Sequence, residues 1–442
     1  MDRLPAWKEA LYGAPYLIKA MALTPLLVFI PSFYSVDYGL PLALVGTILF
    51  ATRMTDVVTD PLIGIVSDRI QSPGLRRKLF IALGTPLLML SAWMVFVPPV
   101  DVTPLYAVIW LGLIYFGFTL MDIPYKAWGA ELVTHYDGRT RLAAWREAAG
   151  TASGLFALIL IMLAPRFGME STADTMRLLG LTFLIGLPIL ITATLVFVPP
   201  AKVERIEAEP LDIRKGLRAI TANKPFLWLL GGMTVLLSGA IIGASLHLIV
   251  MESYFGIRHL FPFILSGEAV AGLISAPFWV WLSRRIGKHR ALATGTLLMG
   301  LLSAPIPLLS PDQHTAYAAI IIVRGFAGGA LAILMASMLA DVADFDLNQT
   351  GQGRQGLFFA LMGMVGKFGA ALGVFVGMVL PPLFGFEPSN ETNTDTALRA
   401  LLMTYAWIPM VIMGSSSWFF WRYPLDREAF AELRAEIDAK AR

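Results

Sequence analysis

Apolar residues run along this chain in blocks of about twenty, each closed by a short polar or Gly- and Pro-containing stretch. A block of that length, wound as a helix, matches the hydrocarbon thickness of a bilayer. The pattern predicts twelve helices, at 14–38, 42–67, 79–98, 103–134, 146–165, 177–198, 225–251, 259–282, 291–309, 314–340, 357–384 and 398–422. The start, Met1-Asp-Arg-Leu-Pro-Ala-Trp-Lys-Glu9, is short and mixed in charge and leads straight into the first block. That block is therefore expected to remain as a helix and not to be removed as a signal peptide.

The polar punctuation is asymmetric. Of the 34 Lys and Arg, 25 fall on the side that holds both chain ends. Only Arg166, Arg177, Arg258 and Arg399 fall on the other side, and Lys19, Arg53, Lys126, Arg324 and Lys367 lie at membrane depth. The positive-inside bias predicts a multi-pass cell (inner) membrane protein with both termini in the cytoplasm, which needs an even number of spans. The punctuation also repeats. Val66-Ser-Asp-Arg-Ile70 follows the second block and Leu282-Ser-Arg-Arg-Ile286 the eighth. Ala130-Glu-Leu-Val-Thr-His-Tyr-Asp137 ends the fourth, and Ala340-Asp-Val-Ala-Asp-Phe-Asp346 the tenth. An offset of six helices predicts two parallel six-helix repeats. The expected layout is an N-terminal bundle over 1–198, a charged linker at 199–224, a C-terminal bundle over 225–422 and a charged tail at 423–442.

Composition narrows the class. The chain has 442 residues, 57% of them hydrophobic and 15% charged, whereas soluble domains average about 25% charged. Zero Cys excludes disulfides, thiol catalysis and thiolate metal sites, and five scattered His leave no imidazole cluster. A net charge of +3, organised by membrane side, points to no nucleic-acid partner. Trp7, Trp407, Trp418 and Trp421, near span ends, read as interfacial residues.

The second block carries the candidate chemistry, Arg53-Met-Thr-Asp56-Val-Val-Thr-Asp60-Pro61. Asp56 and Asp60 are i and i+4 on one helical face, with Arg53 three residues before. Each carboxylate at the bilayer centre costs about 2.5–3.5 kcal/mol, tolerated where it faces a bundle interior and binds something. An Arg–Asp pair that only locks the helix accounts for Arg53 and one Asp and leaves the other. Cation binding accounts for both. In the fourth block Asp122 and Lys126 are again i and i+4, so a private salt bridge competes with a binding role. Pro124 between them weakens the helix ladder and suits a bend at a site. Lys367 sits among Gly363, Gly366, Gly369 and Gly373, a small-residue face that permits close helix packing.

These motifs, with Met121-Asp-Ile-Pro-Tyr-Lys-Ala-Trp-Gly-Ala-Glu-Leu132, Ala340–Asp346 and Gly366-Lys-Phe-Gly369, resemble the glycoside–pentoside–hexuronide:cation symporters of the major facilitator superfamily. The resemblance runs from Tyr12-Gly13 to the last helix. It implies an all-α membrane fold of two pseudo-symmetric bundles and symport of a sugar or glycoside with Na+ or H+ by alternating access. No cofactor is implied beyond the coupling ion, and the partners are the substrate and the bilayer, with the monomer as the working unit. Asp56 and Asp60 match the family's cation-site carboxylates (the Na+ ligands if sodium is the ion), and Thr119 matches its hydroxyl ligand. Asp122 matches a carboxylate shared by cation and sugar, and Arg146 and Lys367 match substrate-contacting cations. Lys19-Ala20 stands where melibiose-carrying members have Lys-Asp, and Lys126 where they have an aromatic platform, so galactosides are not the implied substrate.

With Lys19, Lys126, Arg146 and Lys367 against Asp122, the expected cavity is biased positive, which favours an acidic, uronide-like substrate. Sodium-dependent lysophospholipid symporters resemble the same group, which keeps a lysolipid or other amphiphile as the alternative. A Mg-dependent intramembrane prenyltransferase, the distant alternative, needs a second Asp-rich set at the same depth, and Asp341, Asp344 and Asp346 fall at a helix end. A sensor built on a transporter scaffold predicts loss of the Asp56/Asp60 pair. The remaining charged sets are Asp68/Arg69, Glu131/Asp137/Arg139/Arg141 and Asp341/Asp344/Arg354. They are expected to form gate salt bridges, with loop solubility as the competing reading.

Overall fold

The computed structural model describes residues 4–22, 25–70, 75–133, 136–169, 171–200, 221, 223–350, 355–390, 392–430 and 432. Most of the expected linker, all of 351–354 and the last ten residues lie outside that set. Twelve helices among the described residues are long and apolar enough to cross a membrane. We label them α1 (Ala6–Asp37), α2 (Leu42–Arg69), α3 (Arg76–Phe96), α4 (Pro104–Leu132), α5 (Tyr136–Leu163) and α6 (Thr172–Phe197). The second half holds α7 (Lys224–Ser253), α8 (Phe261–Ile286), α9 (Lys288–Ser303), α10 (His314–Thr350), α11 (Gln355–Val379) and α12 (Asp395–Trp421).

Three ends differ most from the hydrophobic pattern. One is the start of α5, which lies at Tyr136 and not at 146 because polar residues carry the helix ahead of its apolar stretch. α1 begins at Ala6 and not at 14, because its first turns bury polar Glu9 against a partner where a hydropathy reading sees no apolar block. α10 runs to Thr350, ten residues past the expected end at 340. Ala340–Asp346 contains no helix breaker, so backbone hydrogen bonding carries the helix on after the apolar residues stop.

The chain forms two compact units, Met1–Glu209 and Pro210–Arg442. Within the first, α1 packs on α5, α2 and α3 on α4, and α3 on α6. Within the second, α7 packs on α11, α8 and α9 on α10, and α9 on α12. The same pairings recur at an offset of six, so each half builds the same internal topology. Small residues decide where the helices touch. A Cβ on Gly117 of α4 would lie 3.0 Å from the Leu88 Cα of α3, and one on Gly84 of α3 would lie 3.0 Å from the Met121 amide of α4. On α11 the contact stripe is Gly369, Gly373 and Gly377, against Thr234, Ser238 and Ile242 of α7. Gly363, expected to belong to that face, meets open space, because the i, i+4, i+8 row through Gly369 turns away from it.

Candidate functional site in the N-terminal unit

On α2, Arg53, Asp56 and Asp60 sit at i, i+3 and i+7, which is one face of a helix. On α4, Thr119, Asp122 and Lys126 repeat that spacing. The two stripes meet where the Thr119 hydroxyl donates to Asp60 Oδ1 at 2.8 Å, across the α2–α4 contact. Asp56 and Thr119 are both buried. Arg53 Nη1 donates to Asp56 Oδ2 at 3.1 Å, and its guanidinium lies 4.3 Å from the centre of the Tyr115 ring. Pro61 follows Asp60 inside the helix and, lacking an N–H, leaves the Val57 carbonyl without its helical donor. Asp60 and the Thr119 hydroxyl thus meet between α2 and α4, and Asp56, one turn before Asp60 and paired with Arg53, adds a second carboxylate on the same helix.

One turn further along α4 a second cluster centres on Asp122. Its Oδ1 accepts from the Tyr16 hydroxyl at 2.5 Å and from the ammonium of Lys19, both on α1. Its Oδ2 faces Lys126 Nζ at 2.8 Å. The i, i+4 pair weighed from the sequence is therefore present, but Asp122 is shared among three donors and is not private to Lys126. The Lys19 side chain is 6% exposed and that of Lys126 49%, so Lys126 is the arm of the cluster open to an arriving group. Arg146 on α5 lies 5.5 Å from the Tyr16 ring centre and pairs with Glu147 at 2.9 Å. Lys367 is half-buried on α11 and belongs to the other unit.

The charged sets at the helix ends take partners that the sequence reading did not assign. Arg77 at the start of α3 reaches Asp68 of α2 at 2.5 Å and Glu131 of α4 at 2.6 Å, and donates to Ser67 Oγ. Asp68 therefore takes Arg77 of the next helix as its partner, and not the adjacent Arg69. Arg141 of α5 binds both carboxylate oxygens of Glu9, and Asp341 of α10 is held by Lys288 of α9. Asp344 lies on α10. Arg354 and the side chains of Asp137 and Arg139 lie outside the described residues. Each of these ion pairs ties helices within one unit. Tyr16, Glu9, Arg77 and Lys288 were missed as functional partners. Tyr16 had a signal, its i−3 spacing from Lys19. Arg77 entered only as one of the 25 basic residues on the side that holds both chain ends.

The model of the family described as MFS/sugar transport protein matches residues 11–427. A glucuronide carrier protein homolog of Escherichia coli (strain K12) is 24% identical over 428 residues, covering 93% of this chain and 90% of that protein. A sodium-dependent lysophosphatidylcholine symporter 1 of Homo sapiens is 25% identical over 436 residues, covering 89% of this chain and 78% of that one. Among solved structures, the nucleoside transporter NupG superposes with a TM-score of 0.65 at 14% identity, over 96% of this chain and 98% of its own. That likeness shows a shared twelve-helix fold.

Proposed function

This chain belongs to the MFS/sugar transport protein family, and from that premise we propose that its N-terminal bundle couples a cation to the uptake of an acidic glycoside. The chain is a membrane transporter, not an enzyme, and its relatives place it among the glycoside–pentoside–hexuronide:cation symporters. The observation that carries the coupling reading is the Asp60–Thr119 bond, which joins the charged faces of α2 and α4. Asp56, Asp60 and Thr119 would hold the ion, with Asp122 adjoining. Oxygen-only donors suit a hard cation.

Lys126, with Lys19, Arg146 and Asp122 behind it, is the substrate-facing cluster, and its excess of positive charge favours a carboxylate on the substrate. Glucuronides have that chemistry, and a glucuronide carrier homolog is a relative. The likeness to a lysophosphatidylcholine symporter supports the second reading, an amphiphile whose phosphate would meet the same lysine. The distribution of Lys and Arg supports both termini in the cytoplasm of a cell-membrane protein. The test is uptake into vesicles of a glucuronide, its neutral glycoside counterpart and a lysolipid, each with and without an inward Na+ gradient. Sodium-driven accumulation of the glucuronide above the other two is expected. Accumulation that ignores sodium and follows an imposed pH gradient would reassign Asp56 and Asp60 to proton carriage.

A further inference from the structure

A trough of about 730 Å³ runs along the outer face of α12 and is bounded at one end by the Pro381–Phe384 turn that follows α11. It opens where α12 departs from α-geometry. Met403–Trp407 is a π-helical stretch, and such a turn carries an extra residue that pushes the backbone aside. Trp407 forms a fixed wall, because its indole N–H donates to the Ala304 carbonyl at 3.0 Å. Phe384, Met403 and Val411 present exposed apolar surface to the same trough. Arg399 is the one charged residue lining it, at its water end, with the Thr396 hydroxyl three residues before. Arg399 is exposed and meets no carboxylate at salt-bridge distance among the described residues.

From Arg399 to Val411 the helix rises about 18 Å, close to the roughly 15 Å hydrocarbon depth of one leaflet. An unneutralised guanidinium above an apolar trough of one-leaflet length has the shape and polarity of a glycerophospholipid. We propose that this trough is a binding site for a membrane glycerophospholipid. Its phosphodiester sits on Arg399 and the Thr396 hydroxyl, and one acyl chain lies along Met403, Trp407 and Val411. The site is separate from the Asp56/Asp60 and Asp122 clusters, and it does not depend on which substrate the transporter carries.

The test uses the full chain, purified in a mild non-ionic detergent and weighed intact by native mass spectrometry with added phosphatidylglycerol, phosphatidylethanolamine or diacylglycerol. One retained phospholipid is expected, with diacylglycerol binding far more weakly. Arg399→Gln should lower the phospholipid occupancy by about tenfold, the loss of one charge-assisted contact. Arg399→Lys should retain most of it, Val411→Trp should block it by filling the trough, and Arg166→Gln, a charge elsewhere, should leave it unchanged. These positions are exposed, so folding is checked by an unchanged melting temperature in detergent without lipid. Wild-type occupancy in both Arg399→Gln and Val411→Trp would overturn the proposal, and so would equal retention of diacylglycerol. Displacement of the lipid by glucuronide or lysolipid substrate would also overturn it, since the trough would then belong to the transport route.

Discussion

Asp122 shows how much one side chain can be asked to do. Its carboxylate holds Tyr16 and Lys19 on one oxygen and Lys126 on the other. Lys126→Ala leaves the first two contacts in place, so the protein should fold normally and bind an acidic substrate about tenfold less well, with little change for a neutral analogue. Equal losses for the two ligands would remove the case for a substrate carboxylate. Asp122→Asn instead strands the buried Lys19 ammonium. Breaking a buried pair in this way costs on the order of 3–5 kcal/mol, so a clear fall in the melting temperature of detergent-purified protein is expected. Adding Lys19→Met should restore much of it, because no charge is then left uncompensated. On α2, Asp56→Asn or Asp60→Asn should abolish gradient-driven accumulation while leaving facilitated exchange of substrate, which radiolabel counterflow measures. A neutral amide keeps the shape of the site and loses the charge that holds a cation. If both variants still concentrate substrate, the ion binds elsewhere.

At the scale of helices, close backbone approach sets the packing. Gly325 of α10 faces the Glu268 carbonyl of α8, and Gly329 faces Gly272, one turn further along both helices. A side chain has nowhere to go at either position. Gly325→Leu is expected to force α8 and α10 apart and to break the 3.0 Å Arg324–Glu268 pair that joins them. The readout is the yield of monodisperse protein on gel filtration, which should collapse for Gly325→Leu and persist for the same change at Gly414, where a Cβ meets open space. These helices themselves were legible in the chain. Twelve apolar blocks were visible without a structure, and the largest errors lie at the starts of α1 and α5 and the end of α10, where polar residues continue a helix beyond its apolar stretch. The ion pairs at the helix ends were not legible. Arg77 joins α2, α3 and α4 only because α3 lies against α4 with a particular rotation.

For the whole molecule, coupling is a statement about two ligands. If sodium binds at Asp56 and Asp60 and the substrate at the adjoining Asp122 cluster, each must raise the other's affinity by the same factor. Titrations of substrate at several sodium concentrations, and of sodium at several substrate concentrations, should return one common factor; unequal factors would rule out the two-site scheme. What the sequence determined by itself was the class of solvent, the number of spans, the six-helix repeat and the charged stripes along α2 and α4. All of these follow from composition and from the 3.6-residue period of a single helix, which needs no knowledge of neighbours. Only the tertiary structure decided which stripe faces which. It placed Thr119 on Asp60, gave Asp122 to Lys19 as well as Lys126, and opened a trough beside Arg399. Those outcomes depend on the rotation and depth of each helix against the next. Many small packing contacts between residues distant in the chain set that geometry, and no local pattern encodes it.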